Sequence, residues 1–365
     1  RDRSVSRGLG DVYKRQAEAG GNYPFFTCSP EPLRINTYAF NTEAIILAGN
    51  NAEGNFHIQY YEGKFNAYQR TYVIESCDAS RVNLRYLYYA LKMCLHHFKQ
   101  ISQGTATKFL TAKILNGFEL PIPTIEKQNK IASLLGNLDK KIESNEIINK
   151  NLLQQAQSIF AQEFLVLDAI PDGWQESSLL GIADYLNGLA MQKYRPRDDE
   201  QGLPVLKIKE LRQGSCDANS ALCSSSIKPE YIVHDGDVIF SWSGSLLVDF
   251  WCGGTCGLNQ HLFKVTSSVY DKWFYYAWTS HHLQKFAAIA ADMATTMGHI
   301  KREELAKAEV LIPSQFDYDR IGGLLAPLYD LVIANRIENR NLASLRDELL
   351  PQLMSGQLDV SEVSL

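Results

Sequence analysis

Asn145-Glu-Ile-Ile-Asn-Lys-Asn-Leu and Asn335-Arg-Ile-Glu-Asn-Arg-Asn-Leu are one octet met twice, and the match spreads outward from it. Leu120-Pro-Ile-Pro repeats as Val310-Leu-Ile-Pro, and Thr105-Ala-Thr-Lys-Phe-Leu as Thr295-Thr-Met-Gly-His-Ile, without a gap from residue 105 to 152. A unit used twice implies two similar halves in tandem. Within each copy the apolar positions alternate in steps of four and three. The first runs Ile131, Leu135, Leu138, Ile142, Asn145, Asn149, Leu152, Ala156, Ile159. The second runs Ile321, Leu325, Leu328, Val332, Asn335, Asn339, Leu342, Arg346, Leu349. A sustained 3.5-residue period marks a coiled-coil seam. Asn145, Asn149, Asn335 and Asn339 fall on that seam, where a buried amide lowers stability but penalises a slipped register. The plainer alternative is two amphipathic helices, each packed on its own domain. Matching seam amides in both copies favour mutual pairing.

Composition sets the frame. A chain of 365 residues, 45% hydrophobic and 11% aromatic, accommodates two globular domains and connecting helices. No apolar run is long enough to cross a membrane, and there is no secretory h-region near the start. Seven cysteines at irregular spacing suit a reducing cytoplasm, the expected location. A net charge of −5 disfavours nucleic-acid binding over the whole surface but leaves room for a local basic cleft.

Along the chain, residues 1–16 show no apolar period and read as a leader foreign to the rest of the protein. Residues 17–123 read as a first mixed α/β domain, 124–164 as a long helix, 165–313 as a second domain, and 314–365 as a second long helix with a tail. Ala44-Ile-Ile-Leu and Val238-Ile-Phe-Ser read as corresponding strand cores, and Asn50-Asn-Ala-Glu-Gly-Asn as a turn. Glu43-Ala-Ile-Ile aligns with Asp237-Val-Ile-Phe, and Phe65-Asn-Ala with Leu258-Asn-Gln. On these alignments the first domain is incomplete at its start, lacking a counterpart of residues 171–212. It is then expected to be destabilised and protease-sensitive.

Four further stretches stand out: Glu119-Leu-Pro-Ile-Pro followed by Glu126-Lys-Gln-Asn-Lys-Ile-Ala, Leu345-Arg-Asp-Glu-Leu-Leu-Pro-Gln-Leu-Met-Ser-Gly, Pro171-Asp-Gly-Trp, and Asp235-Gly-Asp-Val-Ile-Phe-Ser-Trp-Ser-Gly. In these motifs and their order the chain resembles the specificity subunits of type I restriction-modification systems. The resemblance implies an α+β fold, with two target-recognition domains separated by two long helices paired as an antiparallel coiled coil. It implies a split double-stranded DNA target, with one half read by each domain. The implied partners are two modification (methyltransferase) subunits, which carry the methyl transfer, and a restriction (helicase-nuclease) subunit, which cuts. About 30 heptad residues at 1.5 Å give a rod of roughly 45 Å, a little over one turn of B-DNA at roughly 34 Å.

Base readout needs donors and acceptors, and phosphate affinity needs cations. In the second domain Lys193, Arg195, Lys207, Lys209 and Arg212 are the basic candidates, and Ser241, Ser243, Asn259, Gln260 and His261 the polar ones. His299 and Lys301 come next, at a loop entering a helix. The first-domain candidates are Lys64, Asn66, Gln69, Arg70, Thr107 and Lys108. The bland reading of each is a solvated loop face or a turn cap. Cys216, Cys223, Cys252, Cys256 and His261 tempt a zinc reading, but the spacing favours free thiols, so no metal or other cofactor is expected. His96-His97 and His281-His282 fall in corresponding helices and point to packing. A self-contained methyltransferase or nuclease would need motifs this chain lacks: no two prolines are adjacent, and no Walker loop is present. The expectation is a non-catalytic recognition subunit; a protein-only coiled-coil adaptor is the third class.

Overall fold

A computed structural model describes residues 6–9, 17–292 and 300–360. His299, the Thr295–His299 run, and the supposed leader apart from residues 6–9 lie outside the described residues. Among the described residues no helix is long and apolar enough to cross a membrane. The chain divides into two compact units, Arg1–Lys140 with Ser344–Leu365, and Lys141–Ala343, so the division falls inside both long helices.

The first unit contains strands β1 Ser6–Leu9, β2 Tyr23–Phe26, β3 Leu33–Ile35, β4 Phe40–Ala48, β5 Asn50–Asn51, β6 Ile58–Ala67 and β7 Thr71–Ile74. Helices α1 Leu84–Met93 and α2 Leu95–Ile101, strand β8 Lys108–Phe109, helix α3 Ala112–Gly117 and the start of α4 Ile125–Phe160 come after them. Six strands form one sheet in the order β1-β7-β4-β6-β2-β3. Successive strand side chains face opposite sides. Ile45 and Leu47 therefore pack with Phe98 and Leu110, whereas Ala44 and Ile46 pack with Phe26, Phe65 and Val73. Burial on both faces explains why the sequence there is a continuous apolar run. Asn83 caps α1 by accepting from the Tyr86 N–H. Tyr86 and Tyr89 of α1 pack on Ile131 and Leu135 of α4 and on Leu350 and Leu353 near the chain's end. Arg346, the charged seam position, donates to Asp139 at 2.8 Å.

The second unit contains β9 Gln175–Ser178, α5 Leu179–Ile182, β10 Asp184–Asn187, β11 Leu203–Leu206, α6 Ile208–Gln213, β12 Leu222–Cys223 and β13 Ile232–Val233. It continues with β14 Val238–Ser241, β15 Leu247–Phe250, β16 Cys256–Leu258, β17 Leu262–Thr266, α7 Lys272–Asp292, α8 Arg302–Ala306, β18 Glu309–Ile312 and α9 Gln315–Ser355. Two four-stranded sheets form, β10-β17-β14-β15 and β12-β11-β16-β13. Phe240, Phe263, Phe274 and Phe286 share a core with Ala156 and Phe160 of α4 and with Ile321, Leu325 and Tyr329 of α9.

The long helices pair antiparallel along the expected seam. The Asn145 amide donates to Asn339 Oδ1 at 2.8 Å and to Glu338 at 2.7 Å. Asn335 donates to Asn149 Oδ1 at 2.8 Å, and Asn339 to the Ile142 carbonyl at 3.2 Å. Each buried amide is thus met by the opposite copy's amide, the arrangement in which a slip leaves both unpaired.

The units share a topology, and this corrects two alignments. Val205↔Gly257 in the parallel pair β11–β16 has its counterpart in Phe25↔Asn66 of β2–β6. The Asn259 N–H donates to the Leu206 carbonyl as Tyr68 does to Phe26. Phe65-Asn-Ala therefore corresponds to Cys256-Gly-Leu, two residues earlier than expected. Ile45 opposite Ile74 matches Val238 opposite Val265, so the central strands correspond one residue out from the sequence match. A one-residue slip exchanges the two faces, which side-chain hydrophobicity cannot detect where both are buried. On the same correspondence β1, paired with β7, takes the place of β10 on β17, and β2 that of β11. The expected lack of a counterpart to 171–212 is thereby corrected for β10 and β11; β9, α5 and α6 have no equivalent among the described residues of the first unit.

Candidate nucleic-acid interface

In the second unit the polar candidates gather where strands end. β10 stops at Asn187, β11 at Leu206, β14 at Ser241, and β16 turns through Asn259-Gln-His into β17. Gly188 permits the closest approach: a Cβ there would lie 2.3 Å from the Asn259 carbonyl oxygen and 2.4 Å from that of Leu258. The loop after β10 is then stitched to the turn by Gly188 N–H to Leu262 O and Gln260 N–H to Leu189 O.

A chain of side-chain contacts crosses this edge. Trp242 Nε1 donates to Asn187 Oδ1 at 3.0 Å, and the indole packs beside His261 and Phe263. The Gln260 amide N–H can only donate, so His261 Nε2 accepts it at 3.3 Å. The ring proton then sits on Nδ1 and goes to Ser243 Oγ at 3.0 Å. Asn259 Oδ1 accepts from the His261 N–H. Ser243, Asn259, Gln260 and His261 thus come together as a fixed, partly buried array. Ser241 does not join it: wholly buried, its hydroxyl donates to the Ser245 and Ser243 carbonyls and fastens the turn.

Cations lie in the segments that leave these strand ends. Lys193, Arg195, Lys207, Arg212 and Lys301 are exposed, and none has an acidic partner among the described residues. Ile300 N–H donates to the Trp242 carbonyl, which brings Lys301 beside the edge. Lys209 differs, being paired with Asp217 at 3.3 Å. Two of the acids interleaved with these cations, Glu200 and Glu210, have structural employment. Glu200 accepts from Ser224 and Ser225, which hold its carboxyl down at about 2. Glu210, buried, accepts from the Lys207 N–H and Ser220.

The first unit builds the same edge from other residues. Tyr68-Gln69-Arg70 occupies the place of Asn259-Gln260-His261, and Gly49 that of Trp242. Leu110 N–H donates to Gly49 O as Ile300 does to Trp242 O. β5 pairs with β8, setting Lys108 opposite Asn51. Arg70 reaches the Phe109 ring of β8, Gln69 precedes it in the turn, and Lys108 is the strand neighbour of Phe109, with Thr107 half-buried just before β8. Two candidates fall elsewhere. Asn66 is buried and hydrogen-bonds Thr37, and Lys64 stands over the Tyr38 ring at 4.8 Å. Sequence reasoning missed Asn187, Trp242, Asn50, Asn51 and Phe109 as edge residues. Asn50 and Asn51 looked like turn formers; only the pairing with β8 reveals their placement.

The thiols take no part. Among the described residues no group of three or more His, Cys, Asp or Glu could hold a metal ion. Burial pushes the Cys252 thiol up to about 11, and Cys256 is raised by its contact with Cys216 and by burial. His282 Nε2 donates to the Glu309 carbonyl at 2.8 Å, a packing contact.

Comparison with known proteins matches this geometry to a family. The type I restriction modification DNA specificity domain matches at residues 7–154 and again at 171–340. The type I restriction enzyme MjaIX specificity subunit of Methanocaldococcus jannaschii is 26% identical over 302 residues, 76% of this chain and 70% of that protein. The EcoDI specificity subunit of Escherichia coli is 35% identical over 142 residues, 39% of this chain and 31% of that protein. The solved type I restriction-modification S subunit from M. genitalium shares the fold, with a TM-score of 0.62 over 96% of this chain and 93% of that one at 14% identity. The chain belongs to the type I restriction modification DNA specificity domain family and carries that domain twice.

Proposed function

We propose that this chain is the non-catalytic DNA-recognition subunit of a type I restriction-modification assembly, each unit reading one half of a split duplex target through its strand-end edge. The observation that carries the reading is the recurrence of one edge in both units. The second fixes polar side chains at these strand ends, the first places Gln69 and Arg70 at the equivalent positions, and each has cations there without acid partners among the described residues. Donors and acceptors at such an edge suit base readout, and the cations suit phosphates. Lys193, Arg195, Lys207, Arg212 and Lys301 take the phosphate role in the second unit; Ser243, Asn259, Gln260 and His261 take base readout. Gln69, Arg70 and Lys108 do so in the first. Two modification subunits supply methyl transfer, a restriction subunit supplies cutting, and the assembly works in the cytoplasm without a cofactor held by this chain.

The test is duplex binding by the chain assembled with its modification subunits over a range of salt. Lys207→Ala should weaken binding to all sequences and flatten the log–log salt slope by about one unit. Asn259→Ala should relax preference at one base, costing roughly 1–3 kcal/mol of discrimination. Binding and preference untouched by both substitutions would refute this placement of the DNA face.

A further inference from the structure

Arg70 of the first unit stands where the second has His261, and the two side chains live differently. His261 is held from both ring nitrogens. The Arg70 guanidinium is exposed and has neither an acidic nor a hydrogen-bonding partner among the described residues. It is not loose: it lies over the Phe109 ring, 5.4 Å from the centroid. Stacking on an aromatic face fixes a guanidinium plane while leaving its N–H edge free.

The platform is itself built. Phe109 exchanges backbone hydrogen bonds with Gln103 at 2.7 and 3.1 Å and pairs with Asn50. Gly104, at φ +107°, closes that loop; a Cβ there would sit 2.0 Å from the Thr107 carbonyl oxygen. At Arg70 the main chain is clamped as well, its carbonyl accepting from the Gly49 N–H at 2.8 Å. Backbone and ring thus both hold one free guanidinium at the strand-end edge.

A planar fork with two parallel donors matches one base edge in the major groove, the O6 and N7 acceptors of guanine. We infer that Arg70 is a specificity-determining residue that reads a guanine in the half-site of the first unit, whereas the second unit, with His261 at this place, lacks that contact. The inference rests on the proposed DNA-reading role and makes the two half-sites chemically unlike.

The experiment uses the full chain with its modification subunits. Its target motif is first obtained by methylome sequencing of a host expressing the assembly. Duplexes carrying that motif, with each guanine in turn replaced by 7-deazaguanine, then serve as probes. The analogue removes only the N7 acceptor. One position in one half-site should lose about tenfold in affinity with the native chain, within the range for a bidentate contact. Arg70→Ala should abolish that loss, and Arg70→Lys should reduce it. Failure of every 7-deaza position to depend on residue 70 overturns the guanine assignment. So does a uniform loss on all duplexes, which would make Arg70 a phosphate contact. Absence of any motif or duplex binding by the native assembly would instead sink the DNA-reading role, a separate failure. Should Arg70→Ala disturb folding, hydrogen-exchange protection of the first unit would fall, and Arg70→Lys then decides.

Discussion

The first unit draws its sheet with two unbroken strands, β4 and β6, where the second breaks the same path twice. One break, at residues 234–237, separates β13 from β14; the other, at 251–255, separates β15 from β16. Breaking a ladder orphans backbone groups, which must find other partners if buried. In the second unit α9 supplies them. Arg340 grips Asp235 through two N–H···O bonds of 2.7 and 2.8 Å and also donates to the Cys252 carbonyl. Asp235 in turn accepts from the Gly254 N–H, and Arg336 donates to Asp249 and the Phe250 carbonyl. The first unit has no such gap to fill, and Arg85, one of its arginines, lies over the Tyr60 ring at 4.5 Å. One topology thus holds its sheet either by its own ladder or by borrowed charge.

Disturbing the close backbone approach that each unit makes at its own glycine should cost most. Gly188→Val drives a branched side chain into two carbonyls, and Gly49→Val drives one into the Arg70 carbonyl, 2.5 Å from a modest Cβ. Each should lose about 3 kcal/mol or more by overpacking, confined to its own unit. Hydrogen exchange resolved by segment is the measurement. A loss spread equally over both units would mean they do not unfold separately.

Removing the borrowed charge comes next. Arg340→Ala leaves Asp235 and the Cys252 carbonyl without their donor. A broken buried pair costs about 3–5 kcal/mol, and partial exposure here reduces the expectation to about 2 kcal/mol. The loss should appear in β13–β16 protection and leave β4–β6 unchanged. Equal weakening of β4–β6 would show that the break is not what makes the arginine necessary.

How much of this was legible depends on where the information lies. The seam was readable because period and polar defects are both sequence properties; Asn145, Asn149, Asn335 and Asn339 pair as their spacing implied. The strand-end array was half readable: the motif around Ser243 and the run Asn259-Gln-His pointed to it. Ser241 and Asn66 could not be sorted from their neighbours, because a buried serine and a surface serine read alike. Register was illegible for a sharper reason. Ala44-Ile-Ile-Leu-Ala is buried on both faces, so hydrophobicity has no period there with which to align two copies.

Acid should separate the units by a smaller margin. Glu163, Asp235 and Asp317 are held below the ordinary carboxylate range, by hydrogen bonds from Arg320, Arg340 and Trp174 respectively. A depressed folded pKa contributes stability that is present above the unfolded value, about 4, and lost as pH falls through the folded value. Burial also lowers His282, so charging it below about pH 6.5 opposes folding. All four lie in the second unit. Among the described residues of the first unit the depressed carboxylate is Asp78, on the surface, and the lowered histidine is His57. Exchange protection measured from pH 7 to 3 should therefore fall earlier and further in β9–β18 than in β2–β7. The reverse order would overturn the ranking.

The smallest effect tests the seam that both copies contribute. Asn335→Leu alone strands the Asn149 carbonyl oxygen in a buried place, a loss of about 1–3 kcal/mol. Changing Asn149 to Leu as well removes the stranded group, and an apolar pair of similar volume is close to neutral. The double variant should therefore lie within about 1 kcal/mol of the native chain, with a coupling of about 1–2 kcal/mol between the sites. Strict additivity, measured by chemical denaturation of the four proteins, would mean that the 2.8 Å amide contact contributes nothing. The amides retained in both copies would then have to act by excluding other registers rather than by holding this one.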